Sequence, residues 1–219
     1  MSDKAHCNKI LGLLSEAHPD AAPQLNFSNP FELLIATMLS AQCTDNQVNK
    51  CTKQLFIDRP DAHSMAAMTE DELTSYIKPC GLYKTKCKNI LATCRILTES
   101  YGGGVPKTLE ELTALPGVGR KTANVVMSNA FGTPAIAVDT HVARVSVRLG
   151  LADGKDVLKI EKQLMENIPR ESWSIAHHWL IFHGRRVCAA RNPRCTECTL
   201  SAVCREYNKT YKGDAAGRE

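Results

Sequence analysis

The chain has 219 residues, of which 43% are hydrophobic, and its formal net charge is +4 at pH 7. This length and composition suit one large or two small globular domains. The longest apolar run, residues 31–41, contains Glu32 and is well short of the ~20 residues that a membrane-spanning helix needs. Residues 1–7 contain no apolar signal-peptide core, so we expect a cytoplasmic protein with no membrane partner.

The positive charge is concentrated towards the C-terminal end. From Arg185 onwards there are eight basic and four acidic residues. A segment of this kind suits a polyanionic ligand such as a nucleic acid, but a solvated basic tail has the same composition. Charge alone leaves both interpretations open.

Helix start and stop signals follow one another along the chain. Capping residues that open a helical pattern occur at Asn29 (before Pro30), Thr44 or Asp45, Thr69, Thr108, and Asp139 or Thr140. Thr69 and Thr108 are each followed three residues later by a glutamate, which predicts a capping box at both. Stop signals lie at 102–104, Gly150 and Pro169. No segment has the alternating pattern of a strand, so the sequence predicts an all-α fold of about ten helices with short loops. Only the last eight or so residues are expected to be disordered.

Residues 108–131 predict a helix–hairpin–helix. A short helix over 109–115 leads into PGVG at 116–119, and a second helix runs from Arg120 to about residue 130. Gly117 and Gly119 allow a tight reversal and the close approach of another backbone. The free N–H groups at the start of the second helix would bind a phosphate and position the protein on DNA. The alternative is an ordinary corner with glycines for packing, which the adjacent charged pair Arg120-Lys121 makes less attractive.

Lys121 lies in the first turn of the second predicted helix, where the helix dipole disfavours a cation. The dipole, together with partial burial, would favour the neutral amine. A neutral amine is a nucleophile that forms a Schiff base with an aldehyde carbon such as that of an abasic sugar. The alternative is that Lys121 is a second phosphate contact, and the residues alone leave both roles open.

Asp139 follows the apolar residues 135–138 and precedes a predicted helix, which is the ordinary setting of an N-cap. A capping carboxylate that faces the nucleophile can also assist proton transfer and stabilise positive charge on a sugar. Sequence spacing does not show whether Asp139 and Lys121 meet.

The ten cysteines fall into two groups. Six are scattered and are expected to be reduced, mostly buried thiols. Cys188, Cys195, Cys198 and Cys204 are separated by 6, 2 and 5 residues, and four thiolates at this range can enclose one zinc ion or a [4Fe–4S] cluster. Because only one Cys-x-x-Cys knuckle is present, the pattern favours the iron–sulfur cluster. The loop after the first cysteine carries Arg191 and Arg194, which would form a phosphate grip.

Several motifs together resemble the bacterial endonuclease III family. They occur in the family's order at 29–35, 39–45, 81–83, 115–123, 138–142, 177–181 and in the cysteine loop, and the resemblance runs from about residue 8 to 207. It implies a bifunctional DNA glycosylase/AP lyase of base excision repair that is monomeric and associated with the nucleoid. Its substrate would be double-stranded DNA containing oxidised pyrimidines or abasic sites.

The resemblance also implies an architecture of two all-α lobes that flank a DNA-binding cleft. Residues 23–132 would form a six-helix lobe that contains the helix–hairpin–helix at 108–131. Residues 1–22 and 133–219 would form a second lobe, in which the cysteine loop 188–204 holds a [4Fe–4S] cluster. Departures from the family pattern at Cys43, Cys87 and Thr199 affect none of the expected catalytic or ligand positions.

Roles follow from the resemblance residue by residue. Lys121 would attack C1′ of a flipped nucleotide with help from Asp139, release the base through a Schiff base and cleave the strand 3′ to the site by β-elimination. Gln42 and Leu82 would fill the space that the flipped nucleotide vacates. The remaining expected DNA contacts are Gly117, Gly119, Arg120, His141, Arg191 and Arg194.

Three rival functions share features with this sequence. An adenine glycosylase of the same fold lacks a lysine at position 121 and carries an extra C-terminal domain, for which the 15 residues after Cys204 leave no room. A non-catalytic DNA-binding module would need Lys121 only as a phosphate contact. A redox carrier would need a partner-docking feature, and none is visible.

Overall fold

A computed structural model describes the backbone of residues 4–212 and the side chains of residues 4–210. This part of the chain contains twelve α-helices and no strand, which confirms the predicted all-α class. The helices are α1 Lys4–Ala17, α2 Pro30–Leu39, α3 Asp45–Asp58, α4 Ala62–Ala66, α5 Glu70–Ile77, α6 Tyr83–Tyr101, α7 Leu109–Thr113, α8 Arg120–Phe131, α9 Thr140–Leu149, α10 Val157–Asn167, α11 Trp173–Arg186 and α12 Arg205–Tyr207. Most of the segment expected to be disordered, residues 213–219, lies outside the described residues.

The predicted caps are formed by short-range hydrogen bonds. The side chain of Asn29 accepts from Glu32 N at 2.9 Å, and Thr69 and Glu72 form a reciprocal capping box. At the two ambiguous starts, the caps are Thr44 and Asp139. The box expected at Thr108 is only half formed, because the Glu111 carboxylate accepts from the Thr108 hydroxyl instead of from its backbone N–H.

The chain divides into two compact units, each with its own hydrophobic core. One unit is Pro23–Thr133, and the other combines Met1–Ala22 with Pro134–Glu219. In the first unit, α2 is the central helix: residues 33–39 are all buried, and α2 packs against α3, α6 and α8. The apolar run 31–41 is therefore a core helix. Within the part of the chain that the structure describes, no helix is long and apolar enough to cross a membrane.

The second unit is built on the packing of α9 against α11, with α1 on α11 and α10 on α9. Val142, Val145 and Leu149 supply the buried stripe of α9, at the spacing of one helix face. The contact with α11 is close at Gly184, where an added Cβ would lie 3.0 Å from Cβ and Nδ1 of His141. A glycine at this point therefore lets the two helices approach.

Candidate active site and metal centre

Two buried side chains hold the hairpin between α7 and α8 against the core, and one glycine permits its tight turn. Leu115 and Val118 are 3% and 5% exposed, and Val118 N donates to Leu115 O at 3.1 Å. Gly117 has a φ of +75°, and a Cβ there would lie 2.6 Å from Asn89 Nδ2. Only a glycine is free of both backbone strain and this clash, so the predicted need for glycine is met at position 117.

Gly119 differs from the expectation that it helps the chain reverse. Its φ is −88°, a value that any residue adopts, and an added Cβ would meet nothing within 4 Å. It is the N-cap of α8, and α8 has no side-chain cap hydrogen bond. With no side chain at position 119, the approach to the start of α8 is open, and a helix start of this kind is suited to an anion.

Lys121 is the second residue of α8, as predicted, but its surroundings differ from the expectation. The side chain is exposed, whereas the sequence argument invoked partial burial. The Lys121 amine is therefore open to solvent in the free protein. The neighbouring Arg120 is also exposed.

Gln42 and Leu82 lie in two adjoining turns of the first unit. Both have left-handed backbone conformations, with φ of +52° and +59°, and the Leu82 side chain is 58% exposed. A Cβ at Gly81 would lie 3.2 Å from the carbonyl oxygen of Gln42, so the two turns are in close contact. Non-glycine residues held in this conformation are uncommon and concentrate at functional sites.

Asp139 and His141 have clear structural partners in the second unit. Oδ1 of Asp139 accepts from the backbone N–H groups of His141 and Val142, both at 2.8 Å. These bonds use one carboxylate oxygen and hold the side chain in place. The His141 ring packs on Gly184, and its Nδ1 lies 3.1 Å from Arg144 Nη2. His141 therefore serves the α9–α11 packing, and its predicted contact with DNA stays a prediction.

The four clustered cysteines line a single cavity of about 180 Å³, together with Arg148 and His183. All four are half-buried. Within residues 4–212, no group of three or more His, Cys, Asp or Glu side chains is close enough together to hold a single metal ion. Burial raises the pKa of the Cys195, Cys198 and Cys204 thiols, so a metal centre would have to displace their protons.

Two arginines of α9, which the sequence reasoning missed, hold the first part of the cysteine loop. Arg144 donates to the carbonyls of Cys188 and Gly184, at 3.2 and 3.1 Å. Arg148 Nη1 donates to Cys188 Sγ at 3.4 Å and to Ala189 O at 2.7 Å. Their i, i+4 spacing one turn after Asp139 was the available signal. Arg148 therefore places a positive charge beside the first cysteine of the loop.

His183 is a further residue in contact with the clustered cysteines that the sequence did not reveal. Its Nε2 lies 3.7 Å from Cys198 Sγ, and its Nδ1 lies 3.1 Å from Nε2 of the buried His18. Burial, with a smaller effect of His18, lowers the pKa of His183 to about 4. The ring is therefore neutral near pH 7.

The two arginines expected to grip phosphate differ from each other. Arg191 is exposed in the loop before Asn192, whose φ is +51°. Arg194 is also exposed, but it donates to the carbonyl of Arg186 and pairs with Glu197 at 3.7 Å. Arg194 therefore already stabilises the loop itself, and a phosphate would compete with Glu197.

Comparison with known proteins agrees with these features. Residues 35–170 match the family model described as the HhH-GPD superfamily of base excision DNA repair proteins. Endonuclease III of Bacillus subtilis is 53% identical over 203 residues, covering 92% of this chain and 93% of the relative. Endonuclease III of Escherichia coli K12 is 50% identical over 210 residues, covering 94% and 98%. This chain belongs to the HhH-GPD superfamily.

This HhH-GPD protein is similar in structure to relatives that were solved in complex with DNA. A trapped covalent endonuclease III–DNA intermediate with an estranged adenine has a TM-score of 0.90, 51% identity and coverage of 95% of this chain and 99% of that one. A non-covalent endonuclease III–DNA complex has the same TM-score and identity. A thermostable thymine-DNA glycosylase, 24% identical with a TM-score of 0.82, shares the fold.

Membership in the HhH-GPD superfamily confirms the resemblance stated from the sequence. It confirms the helix–hairpin–helix fold and an enzyme of base excision repair, a DNA glycosylase/AP lyase. The individual roles of Lys121, Asp139 and the other site residues remain predictions.

Proposed function

We propose that this protein cleaves DNA at oxidised pyrimidines and abasic sites, with Lys121 as the nucleophile and Asp139 as its partner. The observation that carries the proposal is an exposed lysine in the first turn of α8, directly after the hairpin. The trapping of an endonuclease III as a covalent intermediate with DNA supports a nucleophile in a relative 51% identical to this chain. A phosphate held by the start of α8 would bring the DNA backbone next to this amine.

The chemistry follows from the amine. The neutral Nζ attacks C1′ of the damaged nucleotide, the bond from C1′ to the base breaks, and the base leaves with that electron pair and takes up a proton. Opening of the sugar ring gives a Schiff base, which acidifies the protons on C2′. Loss of one of them expels the 3′ phosphate by β-elimination, and water then releases Lys121. Asp139, whose Oδ1 is fixed by two N–H groups, would assist with Oδ2.

Gln42 and Leu82 would keep the DNA open during this reaction. C1′ is unreachable while the nucleotide is stacked, so the nucleotide must leave the helix. Two adjoining turns that hold exposed side chains in left-handed conformations are suited to enter the vacated space. The DNA would be double-stranded and bound by a single protein chain, with Gly117, Gly119, Arg120, Arg191 and Arg194 against phosphates.

The four cysteines would hold a [4Fe–4S] cluster. Four half-buried cysteines that line one cavity, with only one Cys-x-x-Cys pair among them, suit an iron–sulfur cluster better than a single zinc. Arg148 beside Cys188 would offset part of the negative charge of the thiolates. The cluster would supply structural organisation of the DNA-contacting loop and take no part in cleaving the glycosidic bond.

Borohydride trapping tests the central assignment. The wild-type protein should form a covalent complex with duplex DNA containing an abasic site, because borohydride reduces the Schiff base to a stable amine. Lys121→Ala should abolish the complex, whereas Lys50→Ala, at an exposed lysine of α3, should leave it unchanged. Trapping that survives Lys121→Ala would remove Lys121 from this role. No trapping by the wild type would favour a non-catalytic DNA-binding module.

A further inference from the structure

Four residues at the start of α6 lie on one face of the helix. Leu82 is its N-cap, and Lys86, Asn89 and Thr93 follow at intervals of three or four residues. Residues at this spacing are neighbours on a helix surface. We call this set the α6 stripe. Leu82 belongs to the proposed DNA-binding surface itself, Lys86 contacts the end of α2, and Asn89 and Thr93 contact the hairpin.

Lys86 is the unusual member of the stripe, because its charged side chain is only 7% exposed. Lysine is almost never buried to this extent unless it is paired. Its Nζ donates to the carbonyl of Leu39 at 2.8 Å, in a buried hydrogen bond between residues 47 positions apart. Leu39 is the last residue of α2, where helix carbonyls lack partners and the dipole favours a cation.

The carbonyl that Lys86 holds is at the base of the Gln42 turn. Ser40 caps α2 through bonds to Ala36 O and Thr37 O, and Cys43 N donates to Ser40 O at 3.1 Å. These bonds are made by backbone groups of the turn and of α2, whereas the bond from Lys86 to Leu39 O comes from a side chain of another helix. Lys86 therefore links the Gln42 turn to α6, the helix whose N-cap is Leu82.

The other end of the stripe holds the hairpin. Thr93 Oγ1 donates to Pro116 O at 3.0 Å, and Asn89 fills the space that a side chain on Gly117 would need. A cavity of about 180 Å³ is lined by Ala41, Leu82, Lys86, Asn89 and Gly117, among others. The Gln42 turn, the Leu82 turn and the hairpin thus surround one space, and the α6 stripe borders all three.

We propose that Lys86 is a positioning residue that sets the Gln42 turn in register with Leu82 and the hairpin. The inference rests on the proposed function, in which these three elements open the duplex and hold its backbone. A hydrocarbon side chain could fill the site without the penalty of desolvating an ammonium group. The hydrogen bond from Lys86 Nζ to Leu39 O has a defined direction and length, which a hydrocarbon contact does not have. Such a bond can therefore hold the Gln42 turn at a fixed position relative to Leu82.

The proposal predicts a defect confined to substrates that must be opened. We would measure kcat/KM for cleavage of an abasic site in a duplex and in a single-stranded oligonucleotide of the same sequence. Lys86→Met should lower the duplex value by about tenfold or more, since small misplacements of positioning groups have effects of this size. The single-strand value should change by less than about threefold. Lys86→Arg, which retains N–H donors, should recover part of the duplex activity.

Lys88→Met is the matched control, because Lys88 is an exposed lysine of the same helix. It should leave both activities at the wild-type level. The fluorescence of 2-aminopurine next to the abasic site gives an independent measure of unstacking, and Lys86→Met should reduce its rise on binding.

Equal losses on both substrates, or wild-type values on both, would overturn the proposal. If Lys86→Met does not fold, Lys86→Gln, whose side chain is shorter and uncharged, takes its place, and an unchanged ratio of duplex to single-strand activity in that variant would reject the assignment. Failure here leaves wild-type trapping through Lys121 intact, whereas failure of the proposed function removes trapping from the wild type itself.

Discussion

Replacing Gly119 with aspartate should make the protein more stable and yet weaken its binding to DNA. Gly119 has φ −88° and ψ 173°, close to the values of the natural cap Asp139, at −105° and −174°. A Cβ at position 119 would meet nothing within 4 Å, so the substitution introduces no clash. An aspartate can therefore accept hydrogen bonds from the first turn of α8.

The two effects have different magnitudes and signs. A good cap in place of glycine stabilises a helix by a few tenths of a kcal/mol, and the lower entropy of the unfolded chain adds about 0.4–1 kcal/mol. For a chain of this length, a total of about 1 kcal/mol raises the Tm by about 2–4 °C. A carboxylate about 5 Å from a phosphate costs about 1–3 kcal/mol of binding, which corresponds to about a 5- to 150-fold higher Kd.

Thermal unfolding and DNA binding at several salt concentrations measure the two effects. Gly119→Asn separates them, because asparagine caps equally well without the charge, so it should stabilise the fold and weaken binding less. Gly117→Ala is the opposite case: it should destabilise the fold by about 1–2 kcal/mol from the left-handed backbone alone. If Gly119→Asp binds DNA as tightly as the wild type, the start of α8 does not hold a phosphate.

Two further predictions concern the second unit. Burial lowers the pKa of His178 to about 4, so the unfolded chain takes up a proton below pH 6.5 while the native chain does not. This should lower the free energy of unfolding by about 2 kcal/mol between pH 7 and pH 5, as measured by urea unfolding. His178→Gln should abolish that part of the loss, whereas the control His63→Gln, at an exposed histidine, should leave it unchanged. A pH dependence unchanged in His178→Gln would contradict the reasoning. Purified protein should be brown with about four iron and four sulfide per chain, and Arg148→Met should lower both because it removes the charge beside Cys188 and the bonds to the loop. The exposed Arg170→Met is the control, and a colourless protein with one zinc would refute the cluster.

Local features of the fold were predictable because their causes are local. The caps at Asn29, Thr44 and Thr69 depend on hydrogen bonds that span three residues, so the sequence shows both partners at once. The hairpin and the cysteine loop were also predictable, because the residues that define each of them lie within one short segment of the sequence. The errors at Thr108 and Gly119 arose where several local geometries satisfy one pattern, and pattern alone does not choose between them.

The sequence by itself determined the helical class, the hairpin, the position of Lys121 at the start of α8 and the spacing of the four cysteines in their loop. Only the tertiary structure decided that Lys121 is exposed, that Arg148 faces Cys188, and that Lys86 reaches Leu39. These contacts join residues 40 and 47 positions apart. Such pairs depend on how whole helices pack, and packing is a property of the assembled core that no short segment carries.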